Sequence, residues 1–236
     1  MKKIGIVGGL GPESTIDYYR IIIHSSLEKM KGSTPEIIIN SLDLKKFSNM
    51  MKDFDKEKDK VINYLLEAVN SLNRAGADFA LIASNTPHIV FDEVVEKSPI
   101  PMISIVEETL KVAEKKGIKR IGLFGTKFTM QSVFYQKVFL RKEIEVIVPK
   151  EVEQNYINYK LYDELTFGKI VEETKKGFLT IAKRMIDDDS VEGLILGCTE
   201  IPLLLTEEKY SGIPFLNTSK IHAASALQYC LGEGFS

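Results

Sequence analysis

The sequence repeats one pattern twice, and this repeat constrains the fold more than any other feature. Three segments of the first half recur in the second half, in the same order and at nearly constant spacing. They are KIGIVGG at 3–9 with RIGLFGT at 120–126, LIASNT at 81–86 with ILGCTE at 195–200, and IPMIS at 100–104 with IPFLN at 213–217. Ordered self-similarity indicates a duplicated structural unit. We therefore predict two similar domains, one formed by residues 1–104 with a C-terminal helix at 218–236, and the other by residues 105–217.

Each copy alternates short apolar runs with longer helical patterns. The runs are rich in Ile, Val and Leu and lack strict polar alternation, which is typical of parallel strands buried on both faces. Strands are predicted at 3–7, 36–40, 79–83 and 101–105 in the first copy, and at 120–124, 145–148, 193–196 and 214–216 in the second. A capping box at 14–17 predicts the start of one helix, and further helices are expected at 59–75, 105–116 and 219–231. The predicted fold class is α/β, with two parallel-sheet domains.

Composition narrows the possible partners. The 236 residues carry 31 Lys and Arg against 33 Asp and Glu, so no basic excess attracts nucleic acid or an anionic membrane surface. No apolar run reaches the length of a membrane-spanning helix. Two cysteines, Cys198 and Cys230, are too few for a disulfide framework and favour a reducing compartment. We expect a cytoplasmic protein that binds neither nucleic acid nor membrane.

The repeat also predicts where a ligand binds. In a doubly wound sheet with the strand order 2-1-3-4, ligands lie at the carboxyl ends of the first and third strands. Those ends carry residues 8–9 and 84–86 in the first copy, and residues 125–126 and 198–200 in the second. Two such domains related by a pseudo-twofold axis can face their crevices together, which places Ser84 opposite Cys198 in the cleft between them. That arrangement suits removal of a proton from one face of a carbon and return of a proton to the other.

The glycine loop at 8–12 leaves three interpretations open. Glycines after a first strand let backbone N–H groups approach an anion at the start of a helix, which favours a small carboxylate site. A dinucleotide site is the second interpretation, although Ser14 stands where the third fingerprint glycine is expected and Pro12 removes an N–H donor. A tight structural turn is the third.

The cysteines, Ser84 and the histidines each have a structural and a functional interpretation. Cys198 falls at a strand–helix junction, where a helix dipole is expected to lower the pKa of its thiol, but a small buried hydrophobe is the alternative. Ser84 can act as a helix cap. Cys230 is interpreted as a core residue. No C-x-x-C or H-E-x-x-H spacing predicts a metal site, and the histidines are taken as structural: His24, His88 and His222.

Three motifs resemble those of the aspartate/glutamate racemase family, most closely its aspartate racemase branch. They are GGLGPEST at 8–15, NTPH at 85–88 and GCTEIPLL at 197–204, and the resemblance covers essentially the whole chain. It implies two similar α/β domains with the active site in the cleft between them. It further implies a homodimer that racemises aspartate or glutamate by acid/base transfer at the α-carbon, without pyridoxal phosphate, other cofactors or metal.

The resemblance also implies roles for individual residues. Paired cysteines act on the two faces of the α-carbon, and Cys198 occupies one of the two positions. The glycine loop and the residues after each cysteine position bind the substrate carboxylates, namely Gly9, Asn85, Thr86 and Thr199. The internal repeat adds Thr126 to this set. Lys169 is the best candidate for the cation that binds the distal carboxylate.

The chain departs from the family at the other position, where Ser84 stands in place of a cysteine. A serine hydroxyl is a much weaker acid than a thiol, and no adjacent base is evident to activate it. Ser84 can relay a proton through water, which predicts slow or direction-biased racemisation. Alternatively, Cys198 alone supports an isomerase or lyase step on a related dicarboxylate, or the protein binds an acidic amino acid without turnover. A Cys→Ser change engineered to trap substrate is also open.

Overall fold

The chain folds into two compact units, each with its own sheet and its own hydrophobic core. The first unit comprises Met1–Glu108 and the chain from Ser219 onward, and the second comprises Thr109–Thr218. The computed structural model describes residues 1–233, so residues 234–236 of the predicted C-terminal helix lie outside the described residues. The helix that is described there ends at Cys230.

The sheet of the first unit has four parallel strands in the order β2-β1-β3-β4. They are β1 (Ile4–Gly8), β2 (Ile37–Ser41), β3 (Phe79–Ile82) and β4 (Met102–Ile103). Every residue of β1 and β3 is buried, which explains why these strands read as continuous apolar runs. The strand order confirms the 2-1-3-4 prediction for this unit.

The sheet of the second unit has the same order with one additional strand, β6-β5-β7-β9-β8. Its parallel strands are β5 (Arg120–Phe124), β6 (Glu145–Ile147), β7 (Gly193–Leu196) and β9 (Ile213–Asn217). The edge strand β8 (Lys209–Tyr210) pairs antiparallel with β9. β8 is absent from the sequence predictions because two residues are too short to carry a periodic pattern.

The helices alternate with the strands. In chain order they are α1 (Pro12–Lys29), α2 (Leu44–Met51), α3 (Phe54–Arg74), α4 (Phe91–Lys97), α5 (Ile105–Lys115), α6 (Lys127–Gln131), α7 (Phe134–Leu140), α8 (Glu151–Asp163), α9 (Glu172–Asp189), α10 (Ile201–Leu204) and α11 (Thr218–Cys230). Two 3-10 helices span Thr86–Val90 and Leu165–Phe167. Within residues 1–233, no helix combines the length and the apolar character needed to cross a bilayer.

The capping box predicted at 14–17 is wrong. α1 begins at Pro12, whose fixed φ suits the first helical turn and whose missing N–H is not needed there. Ser14 and Thr15 therefore lie inside the first turn, and both are buried. Their hydroxyls bond to the strand ends and the glycine loop and do not cap the helix.

The start predicted for α3 at residue 59 is also wrong. The helix begins at Phe54, because the charged stretch 55–60 forms its first turns on the solvent side. Its buried face carries the predicted residues Val61, Leu65, Val69 and Leu72, which pack in the core with β1 and β3. The chain turns at Gly76 with a positive φ of 88°, as expected for a glycine after a helix.

The two sheets begin with the same hydrogen-bond arrangement. The N–H of Lys3 donates to the carboxylate of Asp78 at 2.6 Å, and the N–H of Lys119 donates to the carboxylate of Glu192 at 2.6 Å. Each acidic residue directly precedes the third strand of its unit. The internal repeat therefore extends to the side chains that close the amino ends of the sheets.

Candidate active site

The carboxyl ends of β1 and β3 bring the glycine loop and the Ser84 segment to one edge of the first sheet. The two strands are parallel, and the N–H of Ala83 donates to the carbonyl of Val7 at 2.9 Å. Ser14 Oγ, on α1, donates to the carbonyl of Ala83 at 3.0 Å. The first turn of α1 is thus tied directly to the segment that begins with Ser84.

Gly9 fixes the shape of the loop. Its φ is 82°, and a Cβ at this position would lie 2.2 Å from the carbonyl oxygen of Leu42. The N–H of Gly9 donates to Thr15 Oγ1 at 2.9 Å, so this N–H is already occupied. The N–H groups of Leu10 and Gly11 have no acceptor within residues 1–233, and they immediately precede the 18-residue helix α1. A carboxylate bound by this loop would therefore bond to Leu10 and Gly11.

Ser84 is half-buried and lies two residues after the end of β3 at Ile82. Its hydroxyl makes no hydrogen bond to any residue in the range 1–233, whereas its carbonyl accepts a hydrogen bond from His88 Nδ1 at 2.9 Å. Asn85, which is buried, precedes the 3-10 helix Thr86–Val90, and no side chain caps that helix. The helix-cap interpretation of Ser84 is therefore wrong, and no described residue is positioned to take its proton.

The carboxyl ends of β5 and β7 form the corresponding edge of the second sheet. The strands are parallel, and the N–H of Gly197 donates to the carbonyl of Phe124 at 2.7 Å. Thr126 and Cys198 follow these two strands. Thr126 caps α6, since its Oγ1 accepts the N–H of Thr129 at 3.2 Å. The structure thus gives Thr126 a local structural role at this edge.

Cys198 is hydrogen-bonded to a carboxylate. Its Sγ donates to Glu200 Oε2 at 2.9 Å, and the hydroxyl of Thr199 donates to the same oxygen at 3.0 Å. Glu200 is the residue that sequence reasoning missed, although an acidic residue two positions after a candidate catalytic cysteine was a readable signal. A carboxylate in this position can accept the thiol proton and return it.

The predicted lowering of the Cys198 pKa is wrong. Burial raises the pKa of the thiol well above its ordinary value, and the negative charge of Glu200 and its hydrogen bond raise it further. The helix that follows, α10, has four residues and therefore supplies little dipole field. The resting sulfur is consequently a thiol.

Tyr162, on α8, is a second residue that sequence reasoning missed. Partial burial raises the pKa of its phenol, and electrostatic interaction with Cys198 and with the Glu200 carboxylate adds to this effect. The phenol therefore lies within electrostatic range of the cysteine–carboxylate pair, a relationship between distant segments that no local pattern signals. Among the described residues, no three His, Cys, Asp or Glu side chains are grouped as metal ligands.

Lys169 is exposed in the segment between the second 3-10 helix and α9. Its Nζ lies 5.9 Å from the ring centre of Phe167 and forms no ion pair with any residue in the range 1–233. Lys160, by contrast, is paired with the buried Glu164, which also accepts a hydrogen bond from Thr174. The hydrogen bond from Lys160 is the main reason that the pKa of Glu164 is lowered. The charge of Lys169 also contributes to the lowered pKa of Glu164, but within residues 1–233 it is Lys160 that forms the ion pair with this carboxylate.

The chain is similar to amino-acid racemases along most of its length. It is 27% identical over 229 residues to the broad specificity amino-acid racemase RacX of Bacillus subtilis, covering 95% of this chain and 96% of that protein. It is 30% identical over 190 residues to the glutamate racemase of Aquifex aeolicus, covering 76% of this chain and 69% of that protein. The crystal structure of an aspartate racemase homologue from Pyrococcus horikoshii matches with a TM-score of 0.82 and 36% identity, over 98% of this chain and 100% of the other.

The family match spans both units. The sequence model for Asp/Glu/hydantoin racemases matches residues 7–226, a range that includes the glycine loop, Ser84 and the Cys198–Glu200 pair. The glutamate racemase of Aquifex pyrophilus has the same fold, with a TM-score of 0.65 at 23% identity. These similarities confirm the α/β fold class and the resemblance predicted from the three motifs. The chain belongs to the Asp/Glu/hydantoin racemase family.

Proposed function

We propose that this protein is an amino-acid racemase that interconverts the L- and D-forms of aspartate or glutamate by proton transfer at the α-carbon, without a cofactor. Cys198 serves one face of the α-carbon and Ser84 serves the other. The observation that carries the proposal is the cysteine–carboxylate pair after β7, with 2.9 Å between Cys198 Sγ and Glu200 Oε2. A thiol in contact with a carboxylate can exchange a proton both with that carboxylate and with a substrate carbon.

The Cys198 face has both an acid and a base. At rest the pair consists of a thiol and a carboxylate, because the pKa of Cys198 is raised. In one direction Glu200 accepts the thiol proton, and the thiolate then takes the α-proton, leaving the electron pair on the α-carbon. In the other direction the thiol gives its proton to the carbanion, and Glu200 returns a proton to sulfur. This face can therefore remove and return a proton without help from water.

The Ser84 face works through water. The Ser84 hydroxyl has no hydrogen-bond partner within residues 1–233 that could take its proton, so it does not readily form an alkoxide. We assign to Ser84 the relay of a proton between water and the α-carbon. Transfer at this face limits the rate of racemisation.

Substrate binding is assigned to residues at the two sheet edges and in the Lys169 segment. The free N–H groups of Leu10 and Gly11 support a carboxylate site in the glycine loop, and Gly9 contributes by holding the loop in shape. Asn85, Thr86 and Thr199 are assigned to the substrate's polar groups from the family resemblance, and Thr126 is assigned to them from the internal repeat alone. The exposed ammonium of Lys169, which forms no ion pair within residues 1–233, is assigned to the distal carboxylate.

The substrate class is wider among relatives than one amino acid. A broad specificity racemase, a glutamate racemase and an aspartate racemase homologue are all similar to this chain. The proposal therefore names an acidic amino acid and includes both aspartate and glutamate. A homodimer is proposed from the family resemblance, and a cytoplasmic location from the two free cysteines.

The proposal is tested by following the α-proton. The protein is incubated in deuterated water with the L- or D-form of aspartate or glutamate, and the loss of the α-proton signal is measured by NMR. Exchange above background with at least one of the two acidic amino acids is expected, and Cys198→Ala should abolish it. Cys230→Ala is the matched control, because Cys230 is a buried core cysteine of the first unit. Absence of exchange with all four compounds contradicts the proposal.

A second candidate function is binding of an acidic amino acid without turnover. The observation that favours it is the Ser84 hydroxyl, which lacks a base among the described residues. Calorimetric titration with aspartate and glutamate distinguishes the two candidates when it is combined with the exchange assay. Binding with no exchange supports the silent protein, and exchange from either enantiomer excludes it.

A further inference from the structure

Ser84 is contacted by the buried His88, and the ring of His88 lies next to that of a second buried histidine, His222. His88 Nε2 accepts the N–H of Ile105 at 3.1 Å, and His88 Nδ1 lies 2.9 Å from the carbonyl oxygen of Ser84. Because a backbone N–H can only donate and a carbonyl can only accept, His88 must be neutral with its proton on Nδ1. The Ser84 carbonyl therefore accepts its hydrogen bond from an imidazole of fixed tautomer.

His222, on α11, continues this network in the same unit. Its Nε2 lies 3.0 Å from the carbonyl of Ile103, so the proton is on Nε2, and Nδ1 accepts the hydroxyl of Tyr18 at 2.9 Å. The rings of His88 and His222 lie 6.2 Å apart, and His88 also stacks on Phe91 with 4.7 Å between ring centres. Both histidines are therefore fixed in place by hydrogen bonds at both ring nitrogens and by packing of their rings against neighbouring rings.

The Ser84 segment depends on such side-chain contacts. The carbonyl of Ala83 is held by Ser14, and the next carbonyl, that of Ser84, is held by His88. The 3-10 helix that follows has no side-chain cap. Since His88 also binds the N–H of Ile105 at the start of α5, it joins the end of β3 to the segment that follows β4. The position of Ser84 is thus set by His88 as well as by the sheet.

We propose that His88 is a positioning residue for the reaction, which holds Ser84 at the α-carbon through the Nδ1–H···O=C hydrogen bond. The inference rests on the proposed function, in which Ser84 serves one face of the substrate. His88 itself does not touch the substrate. Burial, together with the neighbouring His222, lowers the pKa of His88 to about 3, so the ring keeps the neutral form that this bond requires.

Two substitutions separate the two hydrogen bonds of His88. An asparagine amide reaches the position of Nδ1 and keeps the donor to Ser84, whereas a glutamine amide reaches the position of Nε2 and keeps only the link to Ile105. We expect His88→Asn to retain kcat for racemisation within about twofold of the wild type. His88→Gln should lower kcat for racemisation about fivefold, no more than removal of the Ser84 hydroxyl itself, with a smaller change in KM. His24→Gln, at an exposed position on α1, is the matched control.

A second measurement does not depend on turnover. Amide hydrogen exchange of a peptide spanning residues 83–91 should be at least fivefold faster in His88→Gln than in the wild type, and close to the wild type in His88→Asn. A peptide spanning 193–197 in the second unit should not change. If the wild-type protein shows no racemase activity, the proposed function fails, and this amide measurement still decides whether His88 holds the Ser84 segment in place.

Two patterns of results would overturn the inference. A purely structural role predicts that both variants lose activity and amide protection in proportion to their loss of melting temperature. Equal effects of His88→Asn and His88→Gln, at equal melting temperature, would therefore remove the positioning role. A larger effect of His88→Asn than of His88→Gln would also remove it.

Discussion

The ends of β3 and β7 correspond in the internal repeat, yet they carry different chemistry. After β7, Cys198 has a carboxylate at hydrogen-bond distance, and the pKa of its thiol is raised by that neighbour and by burial. After β3, Ser84 has a hydroxyl with no partner within residues 1–233, but its backbone is held by a buried histidine. One position is equipped for proton transfer and the other for fixed placement. The internal repeat therefore retains the location of the two residues but not their chemical surroundings.

The largest expected effect comes from removing each group in turn. Cys198→Ala should lower α-proton exchange by about 10³-fold, since a positioned acid–base group contributes on the order of 10²–10⁴. Ser84→Ala should lower it by less than about tenfold, because water can replace a hydroxyl that only relays a proton. Initial rates of exchange in deuterated water, measured by NMR, test both. Equal losses in the two variants would contradict the unequal roles.

The next largest effect is expected from removing the Glu200 carboxylate, which is present beside Cys198 and has no counterpart beside Ser84 among the described residues. Glu200→Gln should lower kcat/KM for racemisation by about 10²-fold, because the thiol loses the group that accepts its proton. The same change should lower the pKa of Cys198, because the negative charge that raises it is removed. The rate of alkylation of Cys198 by iodoacetamide as a function of pH measures this second effect. An unchanged or higher pKa would show that Glu200 does not control the thiol.

Placing a thiol at position 84 should reduce the difference in proton-transfer ability between the ends of β3 and β7. Ser84→Cys is expected to raise exchange about tenfold, most clearly for the enantiomer that presents its α-proton to residue 84. Ser84→Ala is the matched control, since it changes the same position without adding a thiol. If Ser84→Cys gives no gain, serine is not what limits this face.

The smallest effect is on stability and concerns the histidines behind Ser84. Burial lowers the pKa of His88 to about 3 and of His222 to about 4, from 6.5. The unfolded chain therefore binds more protons than the folded chain below pH 6.5, so stability is present above this pH and is lost as the pH falls. Each histidine should contribute a loss of about 1.5 kcal/mol between pH 6.5 and 5.

Urea unfolding across this pH interval measures that loss. His88→Asn should remove about half of it, because one of the two buried imidazoles is gone, while His222 remains. The interval lies above the range in which the lowered carboxyl pKa values of Glu93, Glu164 and Glu207 matter. Stability that does not change between pH 6.5 and 5 would mean that the histidines are not held neutral by burial.

The parts of this structure that follow from the sequence are those set by local patterns. Buried parallel strands require continuous apolar runs, so the strand positions and the duplication could be predicted, and with them the edges that carry Ser84 and Cys198. The start of α1 was predicted three residues late, with Ser14 as N-cap where the structure has Gly11, because the hydroxyls of Ser14 and Thr15 find partners in the glycine loop and after β3. A capping pattern cannot register these hydrogen-bond partners.

The chemistry of the site was less predictable than its location. The sequence places a cysteine at a strand–helix junction, but the pKa of Cys198 depends on how deeply it is buried and on where the Glu200 side chain points. The following helix also proved too short to act on the thiol. In the same way, the role of His88 depends on two backbone groups, at Ser84 and Ile105, that the fold alone brings together.

The central claim is that the two faces of the substrate are served unequally, and one comparison tests it most directly. L- and D-enantiomers have equal free energy, so kcat/KM for inversion must be the same in both directions. The unequal roles of the two faces must therefore be detected in another way, as exchange of the α-proton with solvent that is not accompanied by inversion at the α-carbon. For each enantiomer of the better substrate, deuterium incorporation at the α-carbon is measured by NMR, and inversion is measured on the same samples by chiral chromatography. We predict that one enantiomer exchanges at least tenfold faster than it inverts, through Cys198 and Glu200, and that the other does not. Equal ratios of exchange to inversion for both enantiomers would contradict the account.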